Sequence, residues 1–351
     1  MLSQKNLQFD NIIFSLQKNG GGSTYWYEIL KRAYSDEFNF RDLNYSNSLF
    51  NSHFKSFLNL RELCNDPIVF EKKRFFERFR KPSKLFKNEN YVFHSSYYRV
   101  MPDKFCNNII TIHDFIPELY YKYIKKNYNY HLKKNALHNS EAIVCVSNST
   151  KNDLLNFFPN ISEKKISVIH NGAADDFVYN KNPRQNFILF VGSRFGYKMF
   201  EWAIKAVSSL ETFDLVIVGS PLSDLEIAVL AKFKNLNYRV FTSISNIKLN
   251  QLYNSAFALI YPSEYEGFGL PVLEAMKAGC PVIARRTSSI PEIVPEGYLL
   301  LESYCIDEFF DKIEKLKLNY DYYQSLGLIK ASEFSWDKSY NLHKALYNSF
   351  F

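Results

Sequence analysis

The chain has 351 residues, a length that predicts two domains. Of these residues 46% are hydrophobic and the mean hydropathy is -0.26, which excludes a disordered chain. No apolar run approaches the roughly 18 residues of a membrane span, and the first residues lack a secretory signal pattern, so we expect a cytoplasmic protein. The chain has 43 basic residues (Lys and Arg) and 36 acidic residues (Asp and Glu). Residues 1–172 contain 25 of the basic and 16 of the acidic residues, which leaves 18 basic and 20 acidic residues in the rest of the chain. This asymmetry predicts an anionic partner for the first half.

Cysteine usage excludes two classes of small stabilised domain. The chain has five cysteines, an odd number, and no two of them have CxxC spacing. Neither a disulfide framework nor a zinc site is predicted, and we expect buried thiols. The five are Cys64, Cys106, Cys145, Cys280 and Cys305.

Short apolar runs alternate with amphipathic helical patterns, which predicts parallel sheets covered by helices. The strands predicted in the first half are Asn11–Leu16, Tyr91–His94, Ile109–Ile112, Ile143–Ser147 and Ile166–His170. Those predicted in the second half are Ile188–Gly192, Leu215–Gly219, Tyr238–Phe241, Ala258–Tyr261 and Val282–Ala284. We therefore predict an α/β protein with two Rossmann-like domains facing a cleft, because ligands of such sheets bind beyond the carboxyl ends of the strands.

The domain boundary is predicted from a change in pattern. The segment Gly172–Asn186 is polar and aperiodic, as expected of a linker. The predicted domains are residues 1–172 and 173–335.

A glycine-rich stretch, Gly20 to Gly22, precedes a helix for which Ser23 is the predicted N-cap. The pattern is neither a Walker A nor a GxGxxG motif, so it does not indicate ATP or NAD binding. From the residues alone, a flexible turn is an equal interpretation.

His113 and Asp114 directly follow the predicted strand Ile109–Ile112. A neutral imidazole oriented by a carboxylate can aim one ring nitrogen at a substrate hydroxyl. The alternative is a structural histidine near a strand end. Two later features are interpreted as structural only, Ser149 as a helix N-cap and Asn171–Gly172 as a turn.

Residues 53–88 and 121–134 are rich in Lys, Arg, Phe and Tyr. We interpret them as solvated helix faces with aromatic core contacts. The alternative is peripheral contact with an anionic membrane surface, where basic and aromatic residues cooperate. No recognition motif supports a nucleic-acid partner.

Arg194 and Lys198 lie in a loop between the predicted strand Ile188–Gly192 and a helix. Arginine can bind phosphate through two parallel hydrogen bonds, and lysine supplies a point charge. Taken alone, the pair is better interpreted as two exposed surface cations.

Residues 263–284, SEYEGFGLPVLEAMKAGCPVIA, predict a glycine loop followed by a helix. The loop contains Gly267 and Gly269, Pro271 opens the helix and Gly279 closes it. Free amides and the helix dipole at such a start bind phosphate, and glycines allow a ligand to approach closely. An isolated GxG would be a plain turn.

Two carboxylates flank this helix start. Glu274, one turn inside the helix, can accept hydrogen bonds from a ribose diol, although a solvated helix residue is the alternative. Glu266, before the turn, can reach the group beyond the phosphate. Two carboxylates beside a diphosphate require cations nearby, which Arg194 and Lys198 would supply.

The stretch from Glu266 to Glu274 resembles the EX7E segment of the family 4 glycosyltransferases, also described as glycosyl transferases group 1. The resemblance implies the GT-B fold, a retaining reaction, and a closing helix at 336–351 that packs on the first domain. It places donor-binding residues at Gly21, Gly22, Arg194, Lys198, Glu266, Gly267, Phe268, Gly269, Leu270 and Glu274. It places catalytic residues at His113, Arg194, Lys198 and Glu266. Met199 stands where the family has Asn.

The implied activity is transfer of a mannose-like or glucose-like hexose from a GDP- or UDP-linked sugar to a glycan, in cell-surface polysaccharide or lipid-linked oligosaccharide synthesis. Catalysis would be largely electrostatic, with no metal and no cofactor besides the nucleotide sugar. The loops at Gly219–Ser220 and Phe241–Asn246 are candidates for contacting the base. The alternatives are a non-catalytic GT-B subunit that binds a glycan or a partner, a GT-B phosphorylase and a sugar-nucleotide epimerase.

Overall fold

The computed structural model describes residues 4–63, 70–71, 77–121 and 123–351. The chain divides into two compact units, the first formed by Met1–Asn171 with Trp336–Phe351 and the second by Gly172–Ser335. The division falls one residue before the end of the predicted first domain.

The first unit is built on a parallel sheet of seven described strands in the order β3-β2-β1-β4-β5-β6-β7. The strands are β1 (Asn6–Asp10), β2 (Asn39–Tyr45), β3 (Phe70–Glu71), β4 (Tyr91–Ser95), β5 (Cys106–Ile112), β6 (Ala142–Cys145) and β7 (Ile166–Val168). The helices between them are α1 (Ile13–Leu16), α2 (Gly21–Ala33), α3 (Ser52–Leu63), α4 (Ile116–Tyr120), α5 (Tyr123–His138) and α6 (Asn148–Phe157).

The second unit is built on a parallel six-stranded sheet in the order β10-β9-β8-β11-β12-β13. Its strands are β8 (Phe187–Val191), β9 (Asp214–Val218), β10 (Tyr238–Phe241), β11 (Ala258–Tyr261), β12 (Val282–Arg285) and β13 (Leu300–Leu301). Its helices are α7 (Phe200–Ser208), α8 (Asp224–Leu230), α9 (Asn246–Ser255), α10 (Leu270–Lys277), α11 (Ile290–Ile293), α12 (Ile306–Leu318) and α13 (Tyr320–Ser332). The last helix of the chain, α14 (Trp336–Asn348), belongs to the first unit.

The central strands β1, β4 and β8 are buried at every residue. Such complete burial is typical of parallel strands that are covered by helices on both faces. The predicted α/β class with two Rossmann-like sheets is confirmed. None of the helices in the described ranges is long and apolar enough to cross a membrane.

One predicted strand is wrong. Asn11–Leu16 follows β1 rather than forming it, and its last four residues form the short helix α1. A short apolar run fits a buried strand and a buried helix equally well, which explains the error. Strands β2, β3 and β13 were not predicted. Arg41 and Asp42 interrupt the apolar pattern of β2, and β3 and β13 have two residues each.

Two predicted N-caps are also wrong. Helix α2 begins one turn earlier than predicted, with Gly20 as its N-cap, and Ser23 lies inside the helix and donates to the Gly20 carbonyl at 2.9 Å. Helix α6 is capped by Ser147, whose side chain accepts the Thr150 N–H, and not by Ser149. Serine is a good cap at either position, so composition alone did not separate the neighbours.

The described cysteines are free thiols, and three of them, Cys106, Cys145 and Cys280, are buried as predicted. Cys305 is exposed, so the prediction of a buried thiol is wrong there. Cys64 lies outside the described residues.

Helix α14 is held by a buried hydrogen-bond network within the first unit. Its His343 Nε2 lies 2.7 Å from the Tyr25 hydroxyl, and its Tyr347 hydroxyl lies 2.8 Å from His94 Nδ1. Thr111 Oγ1 joins the two ends, at 2.9 Å from the Tyr25 hydroxyl and 3.0 Å from His94 Nε2. The network therefore ties α14 to α2, β4 and β5.

The directions of the hydrogen bonds in this network follow from the Ser339 carbonyl and from the neutral state of His343, whose pKa burial lowers to about 4. The Ser339 carbonyl can only accept, so His343 carries its proton on Nδ1 and accepts from the Tyr25 hydroxyl on Nε2. Thr111 must then donate to Tyr25, and His94 Nε2 must donate to Thr111. His94 is neutral as well, because burial lowers its pKa well below its usual range, so its Nδ1 accepts from the Tyr347 hydroxyl.

We predict that this network makes the protein less stable in acid. Burial lowers the pKa of His343 to about 4 and that of His94 well below its usual range. The unfolded chain therefore binds more protons than the folded chain between pH 6.5 and pH 4, and stability is lost as pH falls through this window. A single histidine shifted this far costs about 2 kcal/mol at pH 5 relative to pH 7.5.

Urea unfolding at pH 7.5 and pH 5.0 measures this loss. His343→Gln cannot be protonated and should reduce the difference between the two pH values. His138→Gln changes an exposed histidine and should leave it unchanged. Equal pH differences in all three proteins would contradict the prediction.

Candidate functional site

The segment from Glu266 to Glu274 runs from the loop after β11 into α10, as predicted. Gly269 is the N-cap of α10 and has a φ of +99°, in the left-handed region. A Cβ at this position would lie 2.8 Å from Ile290 Cδ1 and 3.1 Å from Ile293 Cδ1. The backbone conformation therefore favours glycine here, and a Cβ would also push these two side chains aside. Pro271 lies in the first turn, where no amide hydrogen bond is lost.

Glu274 is partly buried on α10 and accepts a hydrogen bond from the Tyr253 hydroxyl at 3.3 Å. Burial raises the pKa of Glu274 to about 7, and the hydrogen bond from Tyr253 opposes this shift only in part. The carboxyl group thus exchanges a proton close to neutral pH.

Glu266 is fixed by its backbone and paired through its side chain. Its N–H donates to Ser288 Oγ at 2.8 Å, and its carbonyl accepts from Ser289 Oγ at 3.0 Å. Its carboxylate forms an ion pair with Lys198, which also donates to the Tyr261 hydroxyl at 3.3 Å. The Glu266 side chain is 8% exposed and the Lys198 side chain 12% exposed. Removing either partner would leave a buried charge unpaired, which is costly.

Lys198 ends a short 3-10 helix, Gly196–Lys198, and Met199 then caps α7. Met199 has a φ of +52°, in the left-handed region. Asparagine adopts this conformation more readily than methionine, which gives a physical reason for Asn at this position in the family pattern.

Arg194 is engaged by a carboxylate that was not predicted. Its Nε donates to Glu226 Oε1 at 2.6 Å and its Nη2 to Glu226 Oε2 at 3.2 Å. Nη2 also donates to the carbonyls of Ser220 and Pro221, at 3.0 and 2.9 Å. Although burial raises the pKa of Glu226, hydrogen bonds from Arg194 and Ser223 lower it to about 2.

The sequence does contain a signal for Glu226. Ser223 and Glu226 have the S-x-x-E spacing of a capping box, and they form one at the start of α8. The spacing predicts a helix start, but it does not show that an arginine from another loop reaches the same carboxylate.

His113 and its neighbour lie in the first unit, at the carboxyl end of β5. The His113 ring packs edge-on against Tyr25 with 4.8 Å between centroids. Burial lowers the pKa of His113 to about 4, although the negative charge of Asp114 acts to raise it. The ring is therefore neutral at physiological pH. The Asp114 carboxylate accepts the Ile116 N–H at 3.1 Å, and its carbonyl accepts from Lys133 Nζ at 2.7 Å.

Lys133 shows that one of the basic aromatic segments is not simply a solvated face. It is fully buried, forms an ion pair with Glu118 at 2.7 Å and lies 4.3 Å from the centroid of the Phe115 ring. The interpretation as a solvated cation is wrong at this position. Arg78 stacks over the Tyr128 ring at 4.9 Å. Residues 64–69, 72–76 and 122 of these segments lie outside the described residues.

The predicted site residues fall into two groups. Gly21 and Gly22 lie in the first turn of α2, in the same unit as His113. The other predicted residues lie in the second unit, where Lys198 and Glu266 contact each other. The second-unit predictions are Arg194, Lys198, Glu266, Gly267, Phe268, Gly269, Leu270 and Glu274.

Two family models match adjoining parts of the chain, which together cover residues 72–330. The family described as Glycosyl transferases group 1 matches residues 173–330, and the family described as Glycosyltransferase Family 4 matches residues 72–177. The chain belongs to the family 4 glycosyltransferases. The EX7E resemblance is thereby confirmed at the level of the family.

Three relatives are similar over part or most of their length. O-antigen chain mannosyltransferase RfbU of Salmonella typhimurium is 30% identical over 200 residues, which cover 55% of this chain and 56% of that protein. An uncharacterised glycosyltransferase of Methanocaldococcus jannaschii is 31% identical over 241 residues, which cover 66% of this chain and 65% of that protein. O-antigen chain mannosyltransferase B of Escherichia coli is 24% identical over 304 residues, or 78% of each. The chain thus spans little more than half the length of the first relative.

Solved structures share the fold at low identity. HepE of Anabaena, in complex with UDP and glucose, has a TM-score of 0.71 and 14% identity, over 99% of this chain and 100% of that one. Sucrose-phosphate synthase of Thermosynechococcus elongatus has a TM-score of 0.72 and 16% identity, over 99% of each chain. These similarities establish the fold, and the predicted GT-B class is confirmed.

We predict that Tyr253→Phe raises the pKa of Glu274 above about 7, because the carboxylate loses its hydroxyl donor while the ring and the burial remain. A titration followed by NMR of glutamate δ-carbons measures the shift. Tyr298→Phe is the matched control, because its hydroxyl donates to the Tyr323 carbonyl and not to Glu274. A pKa that is unchanged or lower in Tyr253→Phe would contradict the assignment.

Proposed function

We propose that the protein is a retaining glycosyltransferase that moves a hexose, mannose by analogy with its named relatives, from a nucleotide diphosphate sugar to a glycan of the O-antigen type. The observation that carries this proposal is the Lys198–Glu266 ion pair beside the Gly269 cap of α10. This arrangement puts a cation, a carboxylate and a helix start within one loop system of the second unit.

The start of α10 supports diphosphate binding. Gly269 leaves the first amides of the helix without side-chain caps, and a helix start attracts negative charge. A diphosphate here would lie near carboxylates, so it requires compensating cations. Lys198 and Arg194 are assigned that role, and Gly267, Phe268 and Leu270 supply backbone to the same surface.

The ribose is assigned to Glu274. A carboxylate can accept hydrogen bonds from both hydroxyls of a diol. Burial makes the charged form of Glu274 costly without a partner, as its raised pKa shows. Ribose hydroxyls would supply the missing donors, so the nucleotide should favour the ionised carboxylate.

The chemical step is assigned to electrostatic stabilisation of the leaving group. The bond from the anomeric carbon to the diphosphate breaks, and the bond to the acceptor oxygen forms on the same face. The acceptor proton passes to the departing phosphate oxygen, and Lys198 stabilises the developing charge. His113, neutral because its pKa is lowered to about 4, is assigned to a hydroxyl of the transferred sugar and not to proton abstraction.

We predict that Lys198→Ala and Glu274→Ala each weaken binding of a nucleotide sugar by tenfold or more, or about 1.4 kcal/mol. Calorimetry with GDP-mannose and with UDP-glucose measures the loss and identifies the base. Lys205→Ala removes an exposed cation from α7 and should bind as the unchanged protein does. Transfer to isolated O-antigen acceptors is then followed by mass spectrometry.

Other outcomes point to the other functions. No binding of any nucleotide sugar would indicate a non-catalytic subunit. Conversion of the nucleotide sugar without an acceptor would indicate an epimerase, and a requirement for inorganic phosphate would indicate a phosphorylase.

The raised pKa of Glu274 gives a pH prediction. The carboxyl is mostly protonated below pH 7 and mostly ionised above it, so donor affinity should rise about tenfold between pH 6 and pH 8. The diphosphate of an intact nucleotide sugar is a diester without a titration near neutral pH, so it adds no slope. Glu274→Gln should bind weakly and show no such rise. A parallel rise in Glu274→Gln would assign the titration to another group.

A further inference from the structure

The guanidinium of Arg194 is closed off by its own partners. Its Nε and Nη2 donate to Glu226 and to the carbonyls of Ser220 and Pro221, and its side chain is 3% exposed. Nη1 is buried, and no atom in the described part of the chain accepts a hydrogen bond from it. It lies against Gly219, where a Cβ would come within 2.9 Å. A diphosphate cannot reach Arg194 in this arrangement.

We infer that Glu226 competes with the donor diphosphate for Arg194 and thereby sets donor affinity. The inference rests on the proposed function, in which Arg194 binds the diphosphate. In the donor-free protein the arginine is paired with Glu226, and in the donor complex it exchanges this carboxylate for phosphate oxygens.

The unpaired Nη1 favours this exchange. A buried donor without an acceptor costs free energy, since water would otherwise satisfy it. Phosphate oxygens can accept from two guanidinium nitrogens at once, so the exchange would replace one bidentate partner by another. Because a diphosphate cannot reach the guanidinium where it lies, the side chain must turn away from Gly219, and this movement frees Nη1 to find an acceptor.

Glu226 can lose Arg194 without becoming an isolated charge. Its Oε2 accepts the Ser223 N–H at 2.7 Å and the Ser223 Oγ–H at 2.9 Å, as part of the capping box of α8. These two hydrogen bonds do not depend on the arginine. The carboxylate is also 21% exposed, so water can replace the guanidinium.

The position of the pair fits this role. Arg194 follows β8, and Gly219 follows β9, which is hydrogen-bonded to β8 along its whole length. Ligands of parallel sheets bind beyond such strand ends. Glu226 therefore lies at the edge of the surface where the proposed donor binds.

The test measures donor affinity in Glu226→Gln, which removes the charge and keeps the size of the side chain. We expect the Kd for the nucleotide sugar to fall about tenfold, because Arg194 is released. Glu226→Asp keeps the charge on a shorter side chain and should shift the Kd in the same direction by less. Glu201→Gln removes an exposed carboxylate from α7 and should leave the Kd unchanged. Thermal melts confirm that each variant is folded.

Arg194→Ala separates this inference from the proposed function. If Arg194→Ala binds the donor as well as the unchanged protein does, the assignment of Arg194 to the diphosphate fails. If Arg194→Ala weakens binding but folded Glu226→Gln and Glu226→Asp do not tighten it, the competition is overturned and the proposed function stands. The double variant Arg194→Ala with Glu226→Gln should bind as Arg194→Ala alone, since no arginine is left to release.

Discussion

One loop of the second unit carries two cations, and the order of the strands gives each of them a carboxylate. Arg194 and Lys198 both follow β8, which lies between β9 and β11 in the sheet. Glu226 follows β9 and Glu266 follows β11, so one acid approaches from each side. Because burying an unpaired charge is costly, these two ion pairs constrain where the three loops can lie. The architecture of the candidate site follows from this pairing.

The sequence analysis named both residues of the Lys198–Glu266 pair as site residues but only one residue of the Arg194–Glu226 pair, for a physical reason. Glu266 lies in a segment whose glycines, proline and spacing are all locally informative, and Lys198 follows a strand that its apolar run reveals. The contacts themselves join residues 32 and 68 positions apart, which local pattern does not encode for either pair. From the sequence alone, Glu226 can be recognised only as part of the capping box at the start of α8. Local signals therefore predicted the elements, while tertiary contact decided the partners.

The same distinction explains the errors in the first unit. The run Asn11–Leu16 is apolar enough for a strand, but Asn11 accepts a hydrogen bond from Trp26 Nε1 at 2.7 Å and donates to Asp42 Oδ2 at 2.8 Å. These contacts fix the chain as a turn after β1, and no local propensity indicates them. Strands β4 and β6 were predicted to within two residues of their observed limits, because their apolar residues form short buried runs. Strand β5 begins three residues earlier than predicted, because the polar Asn107 and Asn108 precede its apolar run.

Glu274 completes the electrostatics of the second unit in a different way. In the part of the chain that the structure describes, its hydrogen bond comes from a neutral hydroxyl, and burial raises its pKa to about 7. A proton therefore compensates this carboxyl, whereas cations compensate Glu226 and Glu266. None of these three carboxyl groups is left as an uncompensated buried charge. A ligand that took Arg194 or an ionised Glu274 as its partner would displace a carboxylate or a proton, and the cost of that displacement would lower its affinity.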